Sequence, residues 1–393
     1  MKLAAPPRPR RIPQEDDFTS WLRSPAVTAR IGVWLGVTFG LAFVTGVISH
    51  WAQTPAPWLP FPTSPSWGYR VTQGVHVISG TAAVPLLLVK LWTVFPKLVA
   101  RPPKSLGALL AHGLERISIG VLVASAIFQL ASGLANSAQW YPWHFHFRAT
   151  HYAVAWIAIG SLLVHIAVKL PIVRAAFAAD VDDTAQDRPG MAAGPGVLTR
   201  RGLLRTTWTA AGVAVLATAG ATVPWLRHVS VLAVRSGTGP GGVPINHTAA
   251  ERGVVSSATS AAYRLVVAYD GRETSYTLAE LRAMPQATAS LPIACVEGWS
   301  AGATWTGVPV RDLLARAGAP ARSQVIVRSL QSSGGERYSY LAPNFTEDPR
   351  TLLALRLHGE PLSLDHGFPC RLIAPDRPGV LQTKWVGRLE VTR

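Results

Sequence analysis

Cys295 carries the first chemical signal in this chain of 393 residues. It follows a short apolar run and opens the segment Cys295-Val-Glu-Gly-Trp-Ser300. A cysteine with Gly and Trp neighbours after such a run could be a soft ligand for a transition metal. The alternative is a buried core thiol, which is the commoner fate of a free cysteine. The second cysteine, Cys370, lies in a different motif, so the pair does not indicate a disulfide scaffold.

Four histidines inside long apolar stretches carry a second signal. His151 and His165 are fourteen residues apart, which on a helix returns to within roughly 40° of one face, about 21 Å along the axis. Ionisable residues in membrane segments are costly and usually functional, and imidazole is a common axial ligand of haem iron. We predict two stacked b haems, the outer held by His76 and His151 and the inner by His112 and His165. Packing or interfacial roles are the alternative for each.

The elements that must position these histidines are apolar stretches, each long enough to cross a hydrocarbon core of about 30 Å as a helix. Hydrophobic residues make up 49% of the chain and charged residues only 15%, against about 25% in soluble proteins. The sequence therefore predicts an all-α transmembrane bundle of four helices plus a fifth, tethering helix. The five stretches are 30–51, 71–95, 106–134, 151–173 and 206–226.

The basic residues predict the orientation of the bundle. The net charge of +16 is concentrated at the ends of apolar stretches, which is typical of loops beside a membrane and not of a nucleic-acid groove. We predict a cytoplasmic tail at 1–29, because it lacks the features of a signal peptide. Five crossings then place the C-terminal part outside the cytoplasmic membrane. The clusters are Arg8, Arg10, Arg11, Lys97, Arg101, Lys104, Arg200, Arg201 and Arg205.

The junction between the two halves combines a linker with tandem arginines. Residues 175–198 are polar and rich in Asp, Gly and Pro, which indicates a linker. Arg200 and Arg201 then precede a Gly/Ala-rich apolar run, a pattern like a twin-arginine export signal. We predict that motif and the fifth helix at 199–228. An ordinary basic anchor beside a membrane span is the alternative.

The N-terminal half resembles the four-helix cytochrome b subunits of respiratory enzymes, such as the formate dehydrogenase and cytochrome b561-like families. These families place two histidines on one helix at the spacing of His151 and His165. The resemblance covers about 30–173 and implies a di-haem domain at 30–174 that exchanges electrons with quinone or quinol. His50, His144 and His146 are spare histidines that could replace a ligand or line a quinone site, with surface roles as the alternative.

From residue 236 to 393 the composition becomes that of an α+β domain, in which strand patterns alternate with short helical ones. Two segments carry the chemistry. The first is Cys295-Val-Glu-Gly-Trp-Ser300 followed by Trp305-Thr-Gly-Val-Pro309. The second runs His358-Gly-Glu-Pro-Leu-Ser-Leu-Asp-His-Gly-Phe-Pro-Cys-Arg-Leu-Ile-Ala-Pro375 and continues through Lys384-Trp-Val-Gly-Arg388.

Both segments resemble the sulfite oxidase family of molybdopterin enzymes, over about residues 244–392. The resemblance implies that Cys295 ligates molybdenum. It also implies a set of residues that contact the pterin cofactor, the first two of them at its phosphate: His366, Arg371, Lys384, Thr383, Asn246 and Ser329. For Arg371 or Lys384 alone, a solvated surface charge is the alternative.

The departures from that family concern the substrate. Sulfite oxidases follow the cysteine with arginines that bind an anionic substrate, where this chain has Glu297, Gly298 and Trp299. Leu355 stands at the position of their catalytic tyrosine, and Arg356 is the next residue. The Cys-Val-Glu-Gly-Trp-Ser version looks more like the bacterial branch that contains the periplasmic methionine-sulfoxide reductase. Trp299 and Trp305 could form an aromatic wall of the pocket, with core packing as the alternative.

We therefore predict a membrane-bound molybdopterin oxidoreductase that passes electrons from quinol through haem b to molybdenum. The expected substrate is an extracytoplasmic S-oxide or N-oxide, and oligomerisation is not required. The first alternative is oxidation of a small substrate such as sulfite, with electrons passed to quinone. The second is a non-catalytic membrane electron carrier or sensor.

Overall fold

The computed structural model describes residues 13–191, 196, 198–233, 239–332, 334 and 336–392. The first twelve residues of the predicted tail, residues 192–195 and 197 of the predicted linker and residues 236–238 of the predicted C-terminal domain lie outside this range. The chain forms two compact units. The helical unit comprises 1–40, 79–132 and 146–214, and the mixed unit comprises 41–78, 133–145 and 215–393.

Four long helices meet the length and hydropathy of a membrane span within the described part of the chain. They extend beyond the predicted stretches by up to five residues at an end. The first begins five residues early because Arg30 is accommodated inside the helix, where its guanidinium donates to the carbonyls of Ala26, Ala176 and Ala179. The helices are α1 (Pro25–Gln53), α2 (Gly68–Val94), α3 (Leu106–Ser137) and α4 (Phe147–Ala178).

The fifth helix differs from its prediction. Helix α5 covers Arg200–Thr218, not 206–226, because its arginines are accommodated within the fold. Arg200 is fully buried and donates to the carbonyls of Trp21, Val181 and Asp183. The chain leaves the helix after Thr218 in two 3-10 turns, and Pro224 disfavours a helical residue before it. With this arginine-rich start, α5 is not among the four apolar helices, so a fifth crossing stays a prediction.

Both arginines of the twin-arginine motif are paired with acidic residues of the preceding segment. Arg200 forms an ion pair with Asp187, and exposed Arg201 contacts both Asp180 and Asp182 at 2.8 Å. Each therefore has a structural partner, and use of the motif for export stays a prediction.

The C-terminal part is α+β, as predicted. Its short helices are α6 (Val255–Thr259), α7 (Leu278–Ala283), α8 (Val310–Arg316) and α9 (Pro343–Glu347). Its strands are β1 (Leu265–Tyr269), β2 (Arg272–Tyr276), β3 (Ala287–Ser290), β4 (Ile293–Ala294), β5 (Ser300–Ala301), β6 (Thr304–Pro309), β7 (Gln324–Ser329), β8 (Tyr338–Leu341), β9 (Leu352–Leu357), β10 (Glu360–Pro361), β11 (Arg371–Ile373) and β12 (Val386–Thr392).

The strands form two larger sheets and one short pair. The first sheet has the order β2-β1-β12-β7-β8, with β1 and β12 parallel and the other pairs antiparallel. The second has the order β10-β9-β6-β3, and β11 also pairs with β9. Strands β4 and β5 pair on either side of the Cys295 turn.

Strand β9 separates two hydrophobic cores. Leu353 and Leu355 pack in the core beneath the first sheet, whereas Leu352 and Ala354 pack in the core that contains Cys295. This alternation follows from the two-residue period of a strand. The strand therefore supports the Cys295 region through apolar packing, and it contributes no functional side chain.

Close packing of β6 against β9 makes Gly307 a test of this architecture. A Cβ at Gly307 would lie 2.1 Å from the Leu353 carbonyl oxygen, whereas a Cβ at Gly302 would meet nothing within 4 Å. We expect Gly307→Ala to destabilise the protein by about 1–3 kcal/mol through overpacking, and Gly302→Ala to leave it unchanged. Thermal unfolding and limited proteolysis of the detergent-purified chain measure this, and equal behaviour of the two variants would contradict it.

Candidate active site

Cys295 lies in a tight turn between β4 and β5. Its backbone N–H donates to the Trp299 carbonyl at 2.9 Å, and the Gly298 N–H donates to the Cys295 carbonyl at 3.0 Å. Gly298 has φ +91°, a conformation that favours glycine. The thiol is 2% exposed, and burial together with the charge of Glu297 raises its pKa. The turn thus presents a buried thiol on a rigid backbone.

Two cationic side chains share this site. A negative charge on Cys295 would raise the pKa of both Arg371 and Lys384, so both lie within its electrostatic reach. Burial lowers the pKa of Arg371 to about 10. Burial, followed by the charge of Arg371, lowers the pKa of Lys384 to about 7. The positive charges of both side chains are therefore not fully compensated by negative charge within the protein alone.

Gly367 brings the two cations together. A Cβ at Gly367 would lie 3.1 Å from Arg371 Cβ and 3.2 Å from Lys384 Cβ, and its φ is +112°. The Arg371 guanidinium donates one bond to the His366 carbonyl at 3.3 Å. Its Nε is buried without a hydrogen-bond partner among the described residues. An unsatisfied buried guanidinium donor of this kind suits an anionic ligand.

Both ring nitrogens of His366 are within hydrogen-bond distance of protein groups in this structure. Its Nε2–H donates to the Val243 carbonyl at 3.0 Å, and Nδ1 lies 2.8 Å from the Ser363 hydroxyl. Burial, followed by the charge of Arg371, lowers the pKa of His366 to about 4, so the ring is neutral. Ser363 also caps the turn through the His366 N–H. Sequence reasoning missed Ser363, although its spacing from His366 is that of a capping residue.

Asn246 lies between two anchored points of the chain. Val243 is held by His366, and the Lys384 ammonium donates to the carbonyls of His247 and Asp365 at 2.6 and 3.0 Å. The half-buried Asn246 is therefore fixed by its neighbours next to the cationic pair. This placement is compatible with its predicted contact with the pterin cofactor.

Thr383 and Ser329 support Lys384. The Ser329 hydroxyl donates to the Lys384 carbonyl at 2.8 Å. Thr383 is buried, and its hydroxyl lies 2.7 Å from that of Ser339 on β8. In the structure both side chains bond to protein groups, so their direct contact with a cofactor stays a prediction.

The structure places Trp305, Leu355 and Arg356 in three different environments. Trp305 is fully buried, and the Arg371 guanidinium carbon lies over its ring, 5.4 Å from the ring centroid. The Trp305 Nε1–H donates to the Leu291 carbonyl at 3.2 Å. Leu355 faces the core beneath the first sheet, away from Cys295. Arg356 is exposed and bonds the Gly359 carbonyl at 3.1 Å. Of these residues, Trp305 thus contacts the cationic pair, through the Arg371 guanidinium.

Comparison with known proteins identifies the domain that contains this site. Residues 252–393 match the family model described as the oxidoreductase molybdopterin binding domain. This part of the chain is a molybdopterin-binding oxidoreductase domain. The match includes Cys295 and the cationic pair, and it confirms the relation to the sulfite oxidase family predicted from the motifs.

The chain is also similar to several individual proteins. The chain is 32% identical over 118 residues to the putative protein-methionine-sulfoxide reductase subunit YedZ1 of Azospira oryzae, covering 30% of this chain and 44% of the relative. It is 31% identical over 157 residues to mitochondrial sulfite oxidase of Mus musculus (33% and 29%). It is 37% identical over 98 residues to nitrate reductase [NADH] 2 of Phaseolus vulgaris (22% and 11%). In each case the match spans less than half of the relative.

The molybdopterin domain has a site whose residues fit the cofactor. Arg371, with its unpartnered buried Nε, and the partly buried Lys384 supply positive charge for a phosphate. Gly367 allows the backbones that carry them to approach closely, because a Cβ there would crowd the Cβ atoms of both residues. Cys295 supplies the sulfur ligand that a metal of this type takes, and metal binding would displace the proton from its thiol.

The membrane histidines have separate environments. His76 Nδ1 lies 2.8 Å from the Ala42 carbonyl, and His151 Nδ1 lies 2.9 Å from the Ser132 hydroxyl. Metal-bound histidines usually donate their other ring nitrogen to such a group. In contrast, His112 Nε2 accepts a bond from Arg116 at 3.2 Å. His165 lies on α4 with His151, and the pairing of the four in two haems stays a prediction.

The cationic pair generates a prediction about cofactor retention. We expect Arg371→Met and Lys384→Met each to weaken cofactor binding about 10- to 100-fold, because a hydrogen bond to a charged group contributes about 1.5–3 kcal/mol. Arg356→Met, which removes an exposed guanidinium of the same domain, is the matched control. Molybdenum and pterin per chain after gel filtration measure the effect. Full retention of molybdenum and pterin in Arg371→Met and Lys384→Met would show that these side chains do not hold the cofactor.

Proposed function

We propose that this chain is a membrane-bound molybdopterin oxidoreductase that moves electrons between the quinone pool and a small extracytoplasmic substrate through haem b. The observation that carries the proposal is the joining of two features on one chain. One is the buried site of Cys295, Arg371 and Lys384 in a molybdopterin domain. The other is a set of four membrane-length helices that carry histidines.

The contacts of the domain support its proposed side of the membrane. If α1 to α4 each cross once, the α1–α2 and α3–α4 connections lie on the face opposite the N-terminus. Within the mixed unit, Asn344 donates to the Phe61 carbonyl and Arg350 to the Thr63 carbonyl, both in the α1–α2 connection. With the N-terminus cytoplasmic by the positive-inside rule, the domain would be extracytoplasmic. Helix α5 would supply the fifth crossing, since its 19 residues extend about 28 Å.

A cavity in the helical unit offers a place for the quinol ring. Its volume is about 260 Å³, and its lining includes three aromatic side chains together with the Arg30 guanidinium. Sites of this kind, apolar with a few polar groups, are typical of small-molecule binding. The aromatic residues are Trp34, Phe177 and Trp208.

In the proposed reaction the metal cofactor supplies oxygen-atom transfer and the haems supply single-electron transfer. The protein binds and orients. Arg371 and Lys384 would hold the cofactor phosphate, with Gly367 allowing the close approach of their backbones. Cys295 would be the protein's sulfur ligand to molybdenum. His76 and His151 would hold the outer haem, and His112 and His165 the inner one.

The charge beside Cys295 supports reduction of a neutral oxide. Glu297 is close enough that its carboxylate raises the Cys295 pKa, and it accepts a 3.0 Å bond from the Trp299 indole. A negative charge at this position would repel sulfite, since like charges destabilise each other in a low-dielectric site. An S-oxide or N-oxide carries no net charge, so the same carboxylate does not exclude it.

The reverse reaction is the second candidate. The likeness to mitochondrial sulfite oxidase favours it, and electrons would then pass from substrate to quinone. A third possibility, a non-catalytic electron carrier or sensor, would bind the cofactor without turnover.

The direction of electron flow can be followed in the haem spectrum. We expect dithionite-reduced haem b to be reoxidised by methionine sulfoxide or another S- or N-oxide, and oxidised haem b to stay oxidised with sulfite. Cys295→Ser should abolish the reoxidation because it removes the proposed metal ligand. Rapid haem reduction by sulfite would favour the reverse reaction. Unchanged turnover in Cys295→Ser would remove Cys295 as the ligand, and a complete absence of turnover in the wild type would favour the carrier.

The haem assignment can be tested by counting haem. We expect two b haems per chain in the pyridine haemochrome assay, falling to one in His76→Leu and in His112→Leu. His50→Leu and His144→Leu, at spare histidines, serve as controls and should keep both. One haem in the wild type, or loss of haem in a control variant, would show that the pairing is wrong.

A further inference from the structure

The carbonyl oxygen of Val296, the residue after Cys295, accepts two hydrogen bonds from membrane helices. Gln73 on α2 donates its amide N–H to this oxygen at 3.2 Å, and Asn136 on α3 donates at 3.0 Å. Both bonds lie inside the mixed unit. Two side-chain donors from separate helices on one carbonyl fix its direction, because a carbonyl has two lone pairs to satisfy.

Each of the two amides is itself held by a hydroxyl group. Ser49 donates to the side-chain oxygen of Gln73 at 3.2 Å. Tyr141 donates to the side-chain oxygen of Asn136 at 2.9 Å. These bonds settle which end of each amide is the nitrogen, and so which end faces Val296. The Val296 carbonyl is therefore oriented by two successive layers of hydrogen bonds, from hydroxyl to amide and from amide to carbonyl.

The rest of the Cys295 turn is held from the same side. Ala294, directly before Cys295, packs in a buried cluster with Phe61 and Tyr69. The Gly298 carbonyl accepts a 2.5 Å bond from the Thr222 hydroxyl, just beyond α5. Ala294 and Gly298 are thus fixed by segments that adjoin the membrane helices and not by the molybdopterin domain alone.

We propose that Gln73 and Asn136 are positioning residues for the active site, holding the Cys295 sulfur in place through the Val296 carbonyl. This inference rests on the proposed role of Cys295 as the metal ligand. It adds that the ligand is placed by the membrane helices. Gln73 precedes the proposed haem ligand His76 by three residues, about 4.5 Å along α2. One helix would therefore set the positions of both redox ligands.

The first test does not depend on metal or turnover. In full-length, cofactor-free protein, the rate at which iodoacetamide labels Cys295 reports how often its turn opens, and Cys370 is an internal control in the same domain. Each lost hydrogen bond is worth about 1 kcal/mol. We therefore expect labelling of Cys295 to be roughly 5-fold faster in Gln73→Met or Asn136→Leu and roughly 30-fold faster in the double variant, with Cys370 unchanged.

The matched control is Gln286→Met, which removes amide-to-carbonyl bonds to Leu281 and Met284, residues that pack in the core beneath the first sheet and not in the core that contains Cys295. Unchanged Cys295 labelling in the double variant would overturn the proposal. Faster labelling of both cysteines would also overturn it, because the amides would then support the whole domain. Tyr141→Phe keeps the fold and removes only the hydroxyl behind Asn136, and it should accelerate Cys295 labelling by less than Asn136→Leu.

A second test uses the holoenzyme. A shift in the position of the ligand should change the Mo(V) electron paramagnetic resonance signal and slow substrate-driven haem reoxidation, since a displacement near 1 Å can cost on the order of 100-fold in rate. Molybdenum content should stay unchanged, and the Gln286→Met control should keep the wild-type signal and rate. An unaltered signal and rate in the double variant would overturn the proposal. Retained activity in Cys295→Ser would instead overturn the ligand assignment and leave the labelling result intact.

Discussion

The active site depends on the cost of burying positive charge. Arg371 is 6% exposed and Lys384 is partly buried, and desolvation lowers the pKa of both. A buried ion without a partner is strongly unfavourable, so the apoprotein retains a deficit that an anion can relieve. Several neighbours are arranged around that deficit. Gly367 packs closely against the Cβ atoms of both residues, Trp305 offers a ring face to the guanidinium, and Ser329 holds the Lys384 backbone.

Local sequence signals predicted what depends on local physics. The four long helices follow from continuous hydropathy, and the α+β class of the C-terminal part follows from its strand and helix patterns. The motif around His366 and Arg371 indicated the family because its chemistry is compressed into a few residues. The ends of α5 were less predictable, because Arg200 looked like the flank of a span. Its charge is in fact compensated by residues 13 to 179 positions away along the chain.

Other features depend on distant contacts and could not be predicted. The His366 ring bonds Ser363 and the Val243 carbonyl, which lies 123 residues away and gave no sequence signal, and its contact with a phosphate stays a prediction. Gln73 and Asn136 gave no signal at all. A glutamine near a helix end is ordinary, and its meaning comes only from a carbonyl 223 residues further on.

Gly298 has a consequence for comparing this sequence with its relatives. A Cβ there would lie 2.8 Å from Val77 Cγ2, and its φ of +91° also favours glycine. The stretch after Cys295 is therefore under two constraints, because part of it is proposed to face substrate and part of it packs against a helix. In a relative whose catalytic domain is a separate, soluble protein, the second requirement vanishes and the same positions are released to vary. Differences in this stretch would then record whether the domain is joined to a membrane partner as well as which molecule it acts on.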